Sequence, residues 1–225
     1  MGRRIFKILK YLIHCISLVI YPTKEQCIIC KSYTKDKIIC NSCESKIKFI
    51  NKSYYIIKEN KRYKCYIIAK HDDIIKKLVL SLKYFNNYLA AELLGNYMGD
   101  LIEKEALKVD IITFVPISKN VRRKRGYNQA KLLAQVASSK INKPCLDLLE
   151  KVKETKDQIG LDKEERWSNV CDCFKFNEKF CIKGKNILLI DDVITTGATA
   201  VNCVKLLKKF GAGRVYILTA SKSVV

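Results

Sequence analysis

The chain has 225 residues, a length that allows one full domain and a smaller one. Hydrophobic residues make up 48% of it and only 3 residues are proline, which excludes a disordered chain and leaves enough apolar side chains for a core. The 43 Lys and Arg residues outnumber the 22 Asp and Glu residues and give a formal net charge of +21. This excess excludes an acidic, solvating protein and favours a polyanion as a partner.

Residues 1–22 form a basic and apolar segment. Its apolar side chains recur at helical spacing: Ile5, Leu9, Leu12, Ile13 and Ile16. Lys7 and Lys10 interrupt the apolar run and no cleavage site precedes Pro22, so neither a membrane span nor a signal peptide is expected. We expect an amphipathic helix, which either docks on the protein itself or attaches to an anionic membrane surface.

Two Cys-x-x-Cys pairs follow, Cys27 with Cys30 and Cys40 with Cys43. Together they can complete a tetrahedral four-sulfur site, which suits zinc because its filled d shell imposes no other geometry. A redox role is disfavoured because no βαβ unit surrounds either pair. With no nearby histidine and no open ligand position, the zinc is expected to be structural, and we assign residues 23–65 to a zinc-ribbon module. The remaining cysteines are scattered and fit a reducing cytoplasm, with the inner face of the membrane as the alternative location.

Strands and helices alternate through the rest of the chain. Apolar runs predict strands at 54–57, 65–69, 111–115, 187–190 and 215–219, and helical periodicity predicts helices at 74–82, 87–107, 129–141 and 198–210. A fully apolar run such as 187–190 is typical of a parallel sheet that is buried on both faces. The alternation predicts an α/β fold with a parallel sheet flanked by helices, to which we assign residues 66–225.

The residues that follow the apolar run 187–190 predict a phosphate site. Asp191 and Asp192 end the strand, and a turn containing Gly197 then opens a helix. A helix start offers backbone N–H groups and the positive end of the helix dipole to an anion. The two carboxylates can accept from vicinal ribose hydroxyls at the strand ends, where open α/β sheets bind ligands. The loop that would hold the phosphate consists of Thr195, Thr196, Gly197, Ala198 and Thr199.

This stretch resembles the phosphoribosyl pyrophosphate (PRPP) signature of type I phosphoribosyltransferases, which has four apolar residues, two acids and a T-T-G-x-T loop. A P-loop is excluded because the pattern G-x-x-x-x-G-K-[ST] does not occur. A Rossmann site is excluded because Gly211 and Gly213 precede a strand and do not follow one.

Further motifs, taken together with the cysteine pairs, resemble the ComF family, the phosphoribosyltransferase-like proteins of natural DNA transformation. The motifs are K-Y at 83–84, V-P-I-S at 115–118, K-R-G-Y-N-Q at 124–129, K-D-Q at 156–158, E-R at 165–166 and N-V at 169–170. The likeness extends over nearly the full length. It implies a type I phosphoribosyltransferase fold, PRPP bound with Mg²⁺, and an action in DNA uptake.

The resemblance also implies roles for individual residues. The acid pair 191–192 would hold the ribose hydroxyls, and residues 195–199 the 5′-phosphate. A loop and the basic run after it would hold the pyrophosphate and its Mg²⁺: Pro116, Ile117, Ser118, Arg123 and Arg125. Arg122 and Lys124 belong to the same run, for which a solvated basic turn is the alternative. No catalytic base is identified, since His14 and His71 are candidates by residue type alone.

Residues 46–70 form a second basic region, with eight basic residues, one acid and interleaved aromatic residues. Cations that follow phosphates, next to aromatic rings that stack on bases, suit a single-stranded nucleic acid. The predicted patch consists of Lys58, Lys61, Arg62, Tyr63 and Lys64. In the alternative interpretation, the tyrosines of this region pack inward. The ComF resemblance favours single-stranded DNA as the ligand.

Three functional hypotheses follow. The first is a competence protein that binds PRPP with Mg²⁺ and single-stranded DNA during DNA uptake. The second is an active phosphoribosyltransferase that acts on a nucleobase-like or other acceptor and has no role with DNA. The third is an adaptor that senses PRPP and docks on a helicase-like or membrane partner through residues 1–20.

Overall fold

A computed structural model describes residues 25–50, 53–84, 87–153 and 173–223, and the chain divides into two units between Ser45 and Lys46. The amphipathic helix expected over residues 1–22 lies outside the described residues, as do the motifs at 156–170. The expected docking of residues 1–20 on a partner or a membrane therefore lies outside them as well. In the described ranges, no helix is both long enough and apolar enough to cross a bilayer.

The small unit contains the two cysteine turns and one short helix within residues 25–45. Helix α1 (Asn41–Glu44) begins after Cys40, whose sulfur accepts a hydrogen bond from the Cys43 backbone N–H at 3.4 Å. In the first turn, the Cys27 N–H donates to the Ser32 carbonyl at 2.8 Å. Since α1 is a single turn, the cysteine turns provide most of the local order in this segment.

The large unit is built on a five-stranded sheet. Its strands are β1 (Tyr54–Lys58), β2 (Lys61–Lys70), β3 (Ile111–Phe114), β6 (Ile187–Ile194) and β7 (Val215–Lys222). They lie in the order β1-β2-β7-β6-β3, in which β1 is antiparallel to β2 and all other pairs are parallel. Strands β4 (Leu149–Lys151) and β5 (Phe174–Phe176) form a separate antiparallel pair.

Five helices accompany the strands in the described part of the large unit: α2 (Asp73–Tyr84), α3 (Tyr88–Lys104), α4 (Lys119–Arg125), α5 (Gln129–Lys140) and α6 (Ala198–Lys209). Helix α3 begins at a cap, because the Asn87 side chain accepts from the backbone N–H of Leu89 at 3.1 Å. It packs closely on α5, since a Cβ added to Gly95 would lie 2.5 Å from the Val136 Cβ. The predicted class, a mostly parallel sheet flanked by helices, is confirmed.

Burial on both faces of the sheet explains why β6 begins with consecutive apolar residues that do not alternate with polar ones. The four residues 187–190 have no solvent exposure, which is the pattern of a strand covered on both faces. The parallel strands β2, β7, β6 and β3 all end at one edge of the sheet, and β6 brings Asp191 and Asp192 to that edge. We call it the carboxyl edge, and the opposite edge, where these strands begin, the amino edge.

Three boundaries differ from the sequence expectations. The units divide after Ser45 and not at residue 65, because β2 pairs in parallel with β7 and so brings the β1–β2 hairpin into the main sheet. The basic run is the helix α4 and not a turn, since Ser118 caps its start and Gly126, at a φ of 80°, ends it. Strand β6 continues to Ile194, so the acid pair lies within the strand.

Candidate functional site

The carboxyl edge brings together the acid pair and the loop that follows β3. The Val115 N–H donates to the Ile190 carbonyl at 2.9 Å, which holds the loop 115–118 beside the residue that precedes Asp191. The Ser118 hydroxyl accepts from the Val121 N–H at 3.3 Å and thereby starts α4. The segment predicted to contact pyrophosphate therefore adjoins the segment predicted to contact ribose.

The loop after β6 leads directly into α6. Gly197 occupies the N-cap position with a φ of 84°, and this residue makes no side-chain cap hydrogen bond. A Cβ on Gly197 would lie 2.7 Å from the Ile56 Cδ1, so both the backbone conformation and the space require glycine. The Thr196 hydroxyl accepts from the Ala198 N–H at 3.4 Å. A helix start whose N-cap residue has no side chain is suited to bind an anion through its backbone N–H groups.

Lys83, in the last turn of α2, forms an ion pair with Asp192 across 2.9 Å. Burial by itself would lower the pKa of Lys83, but the Asp192 carboxylate outweighs burial and the pKa is raised. Burial, with a smaller contribution from the Asp192 charge, raises the pKa of Asp191 well above its usual range. The acid pair thus combines one carboxylate held by a cation with one whose protonated form is favoured by burial.

The R-G-Y-N-Q motif connects the end of α2 with the loop after β3. The Tyr127 hydroxyl donates to the Leu82 carbonyl, next to Lys83. The Asn128 side-chain amide donates to the Val115 carbonyl at 3.0 Å, and its oxygen caps α5. The ComF resemblance implied a role for only one residue of this motif, Arg125. In the structure the motif positions the elements on either side of the acid pair.

The basic residues of α4 divide into two groups. Arg122, Arg123 and Lys124 are exposed, whereas Arg125 is partly buried and its charge acts on the pKa of Lys83. The Arg125 guanidinium lies over the Tyr84 ring at 5.8 Å and donates to the Gln129 side chain at 3.4 Å. Of the basic residues proposed for pyrophosphate, Arg125 is the one that this packing brings toward the acid pair.

His71 lies just beyond β2 at the carboxyl edge. Its Nδ1 is 2.7 Å from the Ser221 hydroxyl, near the end of β7. Burial, followed by the charges of Lys76 and Lys83, lowers the pKa of His71, so the neutral imidazole is the dominant form at neutral pH. Residue type is the only feature of the sequence that makes this histidine a candidate, and its proximity to the site comes from the pairing of β2 with β7.

The four cysteines of the small unit form a compact cluster. Their sulfur atoms all lie within 4.8 Å of one another and could hold a metal ion. The Cys30 and Cys40 sulfurs are 3.6 Å apart, close to the roughly 3.8 Å that a tetrahedral ion with 2.3 Å bonds to sulfur requires. A hydrogen bond from Ser32 lowers the pKa of Cys30 to about 6, which favours the thiolate that metals bind.

The predicted nucleic-acid patch lies on the β1–β2 hairpin at the amino edge of the sheet. Lys61 and Arg62 are exposed, and Lys58 and Lys64 are partly exposed. Tyr63 instead packs against the hydrophobic core and its hydroxyl is buried. For this residue, the alternative interpretation, in which the tyrosines pack inward, therefore applies. The acid pair and the patch thus lie at opposite edges of the sheet.

Comparison with known proteins gives relatives that match most of this chain. No family model matches the chain. Competence protein F of Haemophilus influenzae is 28% identical over 214 residues, which cover 91% of this chain and 93% of that protein. Competence protein ComFC of Bacillus subtilis is 27% identical over 216 residues, 93% of this chain and 82% of that protein. A solved glutamine PRPP amidotransferase from B. subtilis is 19% identical, with a TM-score of 0.42 over 63% of this chain and 30% of that chain.

The fold and the motifs define the class of protein. A mostly parallel sheet flanked by helices, with the acid pair and the phosphate loop at its carboxyl edge and a four-cysteine cluster near the N terminus, is a type I phosphoribosyltransferase fold with an added cysteine module. In these features, and in the relatives that match it over most of its length, the chain is similar to competence proteins of the ComF family.

Proposed function

We propose that the chain binds PRPP with Mg²⁺ at the carboxyl edge and acts in the uptake or use of DNA. The observation that supports this most directly is that the acid pair of β6 lies between two segments suited to phosphates. These are the loop after β3, which the Val115–Ile190 hydrogen bond holds, and the start of α6. The DNA role is supported by the names of the relatives, competence protein F and ComFC.

Each part of PRPP has a group of matching chemistry in this proposal. Asp191 and Asp192 accept from the ribose hydroxyls, and residues 195–199 hold the 5′-phosphate through backbone N–H groups and threonine hydroxyls. Pro116, Ile117 and Ser118 contact the pyrophosphate, whose charge Arg123 and Arg125 offset. Oxygen ligands of this kind suit Mg²⁺, which keeps several waters and commonly binds through phosphates. The cysteine cluster holds Zn²⁺ in a structural role.

Thermal denaturation with a panel of ligands tests the assignment. PRPP with Mg²⁺ should stabilise the protein, by about 2.7 kcal/mol at a concentration 100-fold above Kd, because it binds only the folded state. Ribose 5-phosphate and pyrophosphate contain only part of the molecule and should each stabilise less. Equal stabilisation by all three ligands would point to a general anion site and contradict the proposal.

A second candidate function, transfer of the ribosyl group to an acceptor, is favoured by a cavity next to the loop after β3. The cavity has a volume of about 780 Å³ and Pro116, Ile117, Tyr127 and Asn128 are among the residues that line it. This volume is in the range of sites for small molecules. Release of pyrophosphate from PRPP in the presence of nucleobases would support the transferase, whereas PRPP binding without turnover would favour the first function.

Lys83 offers a test of the electrostatics of the site. The Lys83 charge lowers the pKa of Asp191, so Lys83→Gln should raise that pKa further and delay ionisation to higher pH. If carboxylates accept from the ribose, the affinity for Mg²⁺-PRPP should then fall, on acidification, at a higher pH in Lys83→Gln than in the wild type. Lys83→Arg keeps the charge and should leave the profile in place. Identical profiles for Lys83→Gln and the wild type would contradict this role.

A further inference from the structure

A basic groove lies at the amino edge of the sheet. The acid pair lies at the opposite, carboxyl edge of the same sheet. The volume of the groove is about 820 Å³, and the residues that line it lie at the start of β2, at the start of β7 and near the end of α6. Seven of its lining residues are Lys or Arg, and none is acidic. The cations of the β2 side, Lys61, Arg62 and Lys64, belong to the patch expected from the sequence.

The opposite side of the groove consists of residues that the sequence did not connect with this patch. Lys205, Lys208 and Lys209 come from the last turns of α6, and Arg214 precedes β7. They lie far from the hairpin in the chain and approach it because β7 pairs with β2. The basic residues of β2 and those of α6 and the start of β7 thus line the same groove.

Few acidic groups offset this charge. Glu59, in the hairpin turn, pairs with Lys205 at 2.6 Å, and this pair lowers the pKa of Glu59. On an ordinary solvated surface, positive and negative side chains are interspersed. Side chains of one sign repel one another, so a site lined by them favours a ligand of opposite charge. The number of cations exceeds what a single phosphate needs, so a chain of several phosphates is the matching ligand.

The border of the groove also offers planar and apolar surface. The Arg62 guanidinium lies 4.2 Å from the centre of the Tyr55 ring, which is 44% exposed. Ile57, the register partner of Arg62, is 69% exposed, and Tyr216 lines the groove from β7. Unpaired bases stack on exposed rings and on arginine planes, whereas the bases of a duplex are hidden in its stack. These surfaces favour a single strand over a duplex.

The groove and the candidate PRPP site are separate. Helix α6 begins at the phosphate loop and ends in the groove, and its 12 residues correspond to a length of about 18 Å. None of the residues that line the groove belongs to the acid pair, the phosphate loop or the loop after β3. One ligand can therefore occupy each site at the same time.

We propose that this groove, formed jointly by the start of β2, the start of β7 and the end of α6, binds single-stranded DNA while PRPP occupies the carboxyl edge. The inference rests on the proposed role with DNA and adds the site, the residues of α6 and β7, and the independence of the two ligands. Lys205, Lys208 and Arg214 contact the DNA backbone, and Tyr55 and Arg62 provide stacking surface for its bases.

Fluorescence anisotropy with a labelled oligothymidylate, on the full-length metal-loaded protein, tests the proposal. Lys205→Gln/Lys208→Gln/Arg214→Gln should weaken binding by at least about tenfold, and reduce the slope of log affinity against log salt by about 2, since each phosphate contact contributes roughly 0.7 for a single strand. The control Lys77→Gln/Lys108→Gln/Lys143→Gln removes the same charge from exposed positions outside the groove and should change affinity less than about twofold. Thermal melts of both variants verify folding.

The outcomes separate the groove from the DNA role itself. Wild-type binding that the two triple variants weaken equally would reject the groove and leave the DNA role intact. No binding of oligothymidylate by the wild type would reject both. Equally tight binding of a duplex would reject the assignment to a single strand, and displacement of the oligonucleotide by PRPP at constant free Mg²⁺ would reject the separation of the sites. Retained binding with saturating PRPP supports the proposal.

Discussion

Gly197→Ala should weaken the binding of Mg²⁺-PRPP by on the order of 10- to 100-fold. Two effects act on the phosphate loop. A residue with a Cβ costs roughly 1–2 kcal/mol in the left-handed conformation that Gly197 adopts at a φ of 84°. The new Cβ would also lie 2.7 Å from the Ile56 Cδ1, so the loop or the hairpin must shift. About 1.4 kcal/mol corresponds to a factor of ten in Kd, which sets the expected range.

Gly184→Ala provides a matched control for this prediction. Gly184 also has a positive φ, of 73°, but a Cβ there would meet no atom within 4 Å, and the residue lies in the turn before β6. The substitution should cost similar backbone strain and leave the affinity for PRPP unchanged. Calorimetric titrations of both variants, with thermal melts for stability, make the comparison. Equal affinity in the Gly197 and Gly184 variants would show that the loop does not contact the ligand.

Cys27→Ser should eliminate metal binding and unfold the small unit. The Cys27 side chain is fully buried and its sulfur accepts from the Cys40 N–H at 3.4 Å, so it belongs to both the cluster and the backbone turn. Zinc binding contributes about 10–16 kcal/mol to the folding of isolated zinc-finger peptides, far more than a segment with a single turn of helix can otherwise gain. Metal analysis should give one zinc per wild-type chain and none in the variant, with new proteolytic cleavage within residues 25–45.

Cys181→Ser is the control for the cluster. Cys181 is an exposed cysteine outside the four, so its substitution should keep the metal and the protease resistance of the wild type. A Cys27→Ser protein that retained a full equivalent of zinc and an intact small unit would show that the cluster is not the metal site. Retention of the large unit in the variant is expected because its core is formed by its own helices and sheet.

The features that could be predicted from the sequence are those with a local cause. The two cysteine pairs are predictable because each turn places two sulfurs together by itself. The phosphate loop is predictable because a buried strand, two acids and a glycine turn occur within one short segment. The parallel sheet follows from fully apolar runs that alternate with amphipathic helices.

The features that could not be predicted depend on contacts between distant segments. The ion pair of Lys83 with Asp192 requires α2 to end beside β6, which no spacing in the sequence indicates. The pairing of β2 with β7 moves residues 54–65 from the expected cysteine module into the main sheet. The same pairing creates the basic groove and brings His71 to Ser221. Helix α4 was missed because its start depends on the Ser118 cap and its seven residues are too few for a periodic pattern.

The measurement that tests the central claim most directly is a calorimetric titration of PRPP with Mg²⁺ into the wild type and into Asp191→Asn/Asp192→Asn. The control, Asp100→Asn/Glu103→Gln, removes two acidic charges from exposed positions on α3. We predict saturable one-to-one binding by the wild type and the control, and none by the acid-pair variant. No binding by a folded, zinc-loaded wild type, or undiminished binding by the acid-pair variant, would contradict the assignment of the carboxyl edge as a PRPP site.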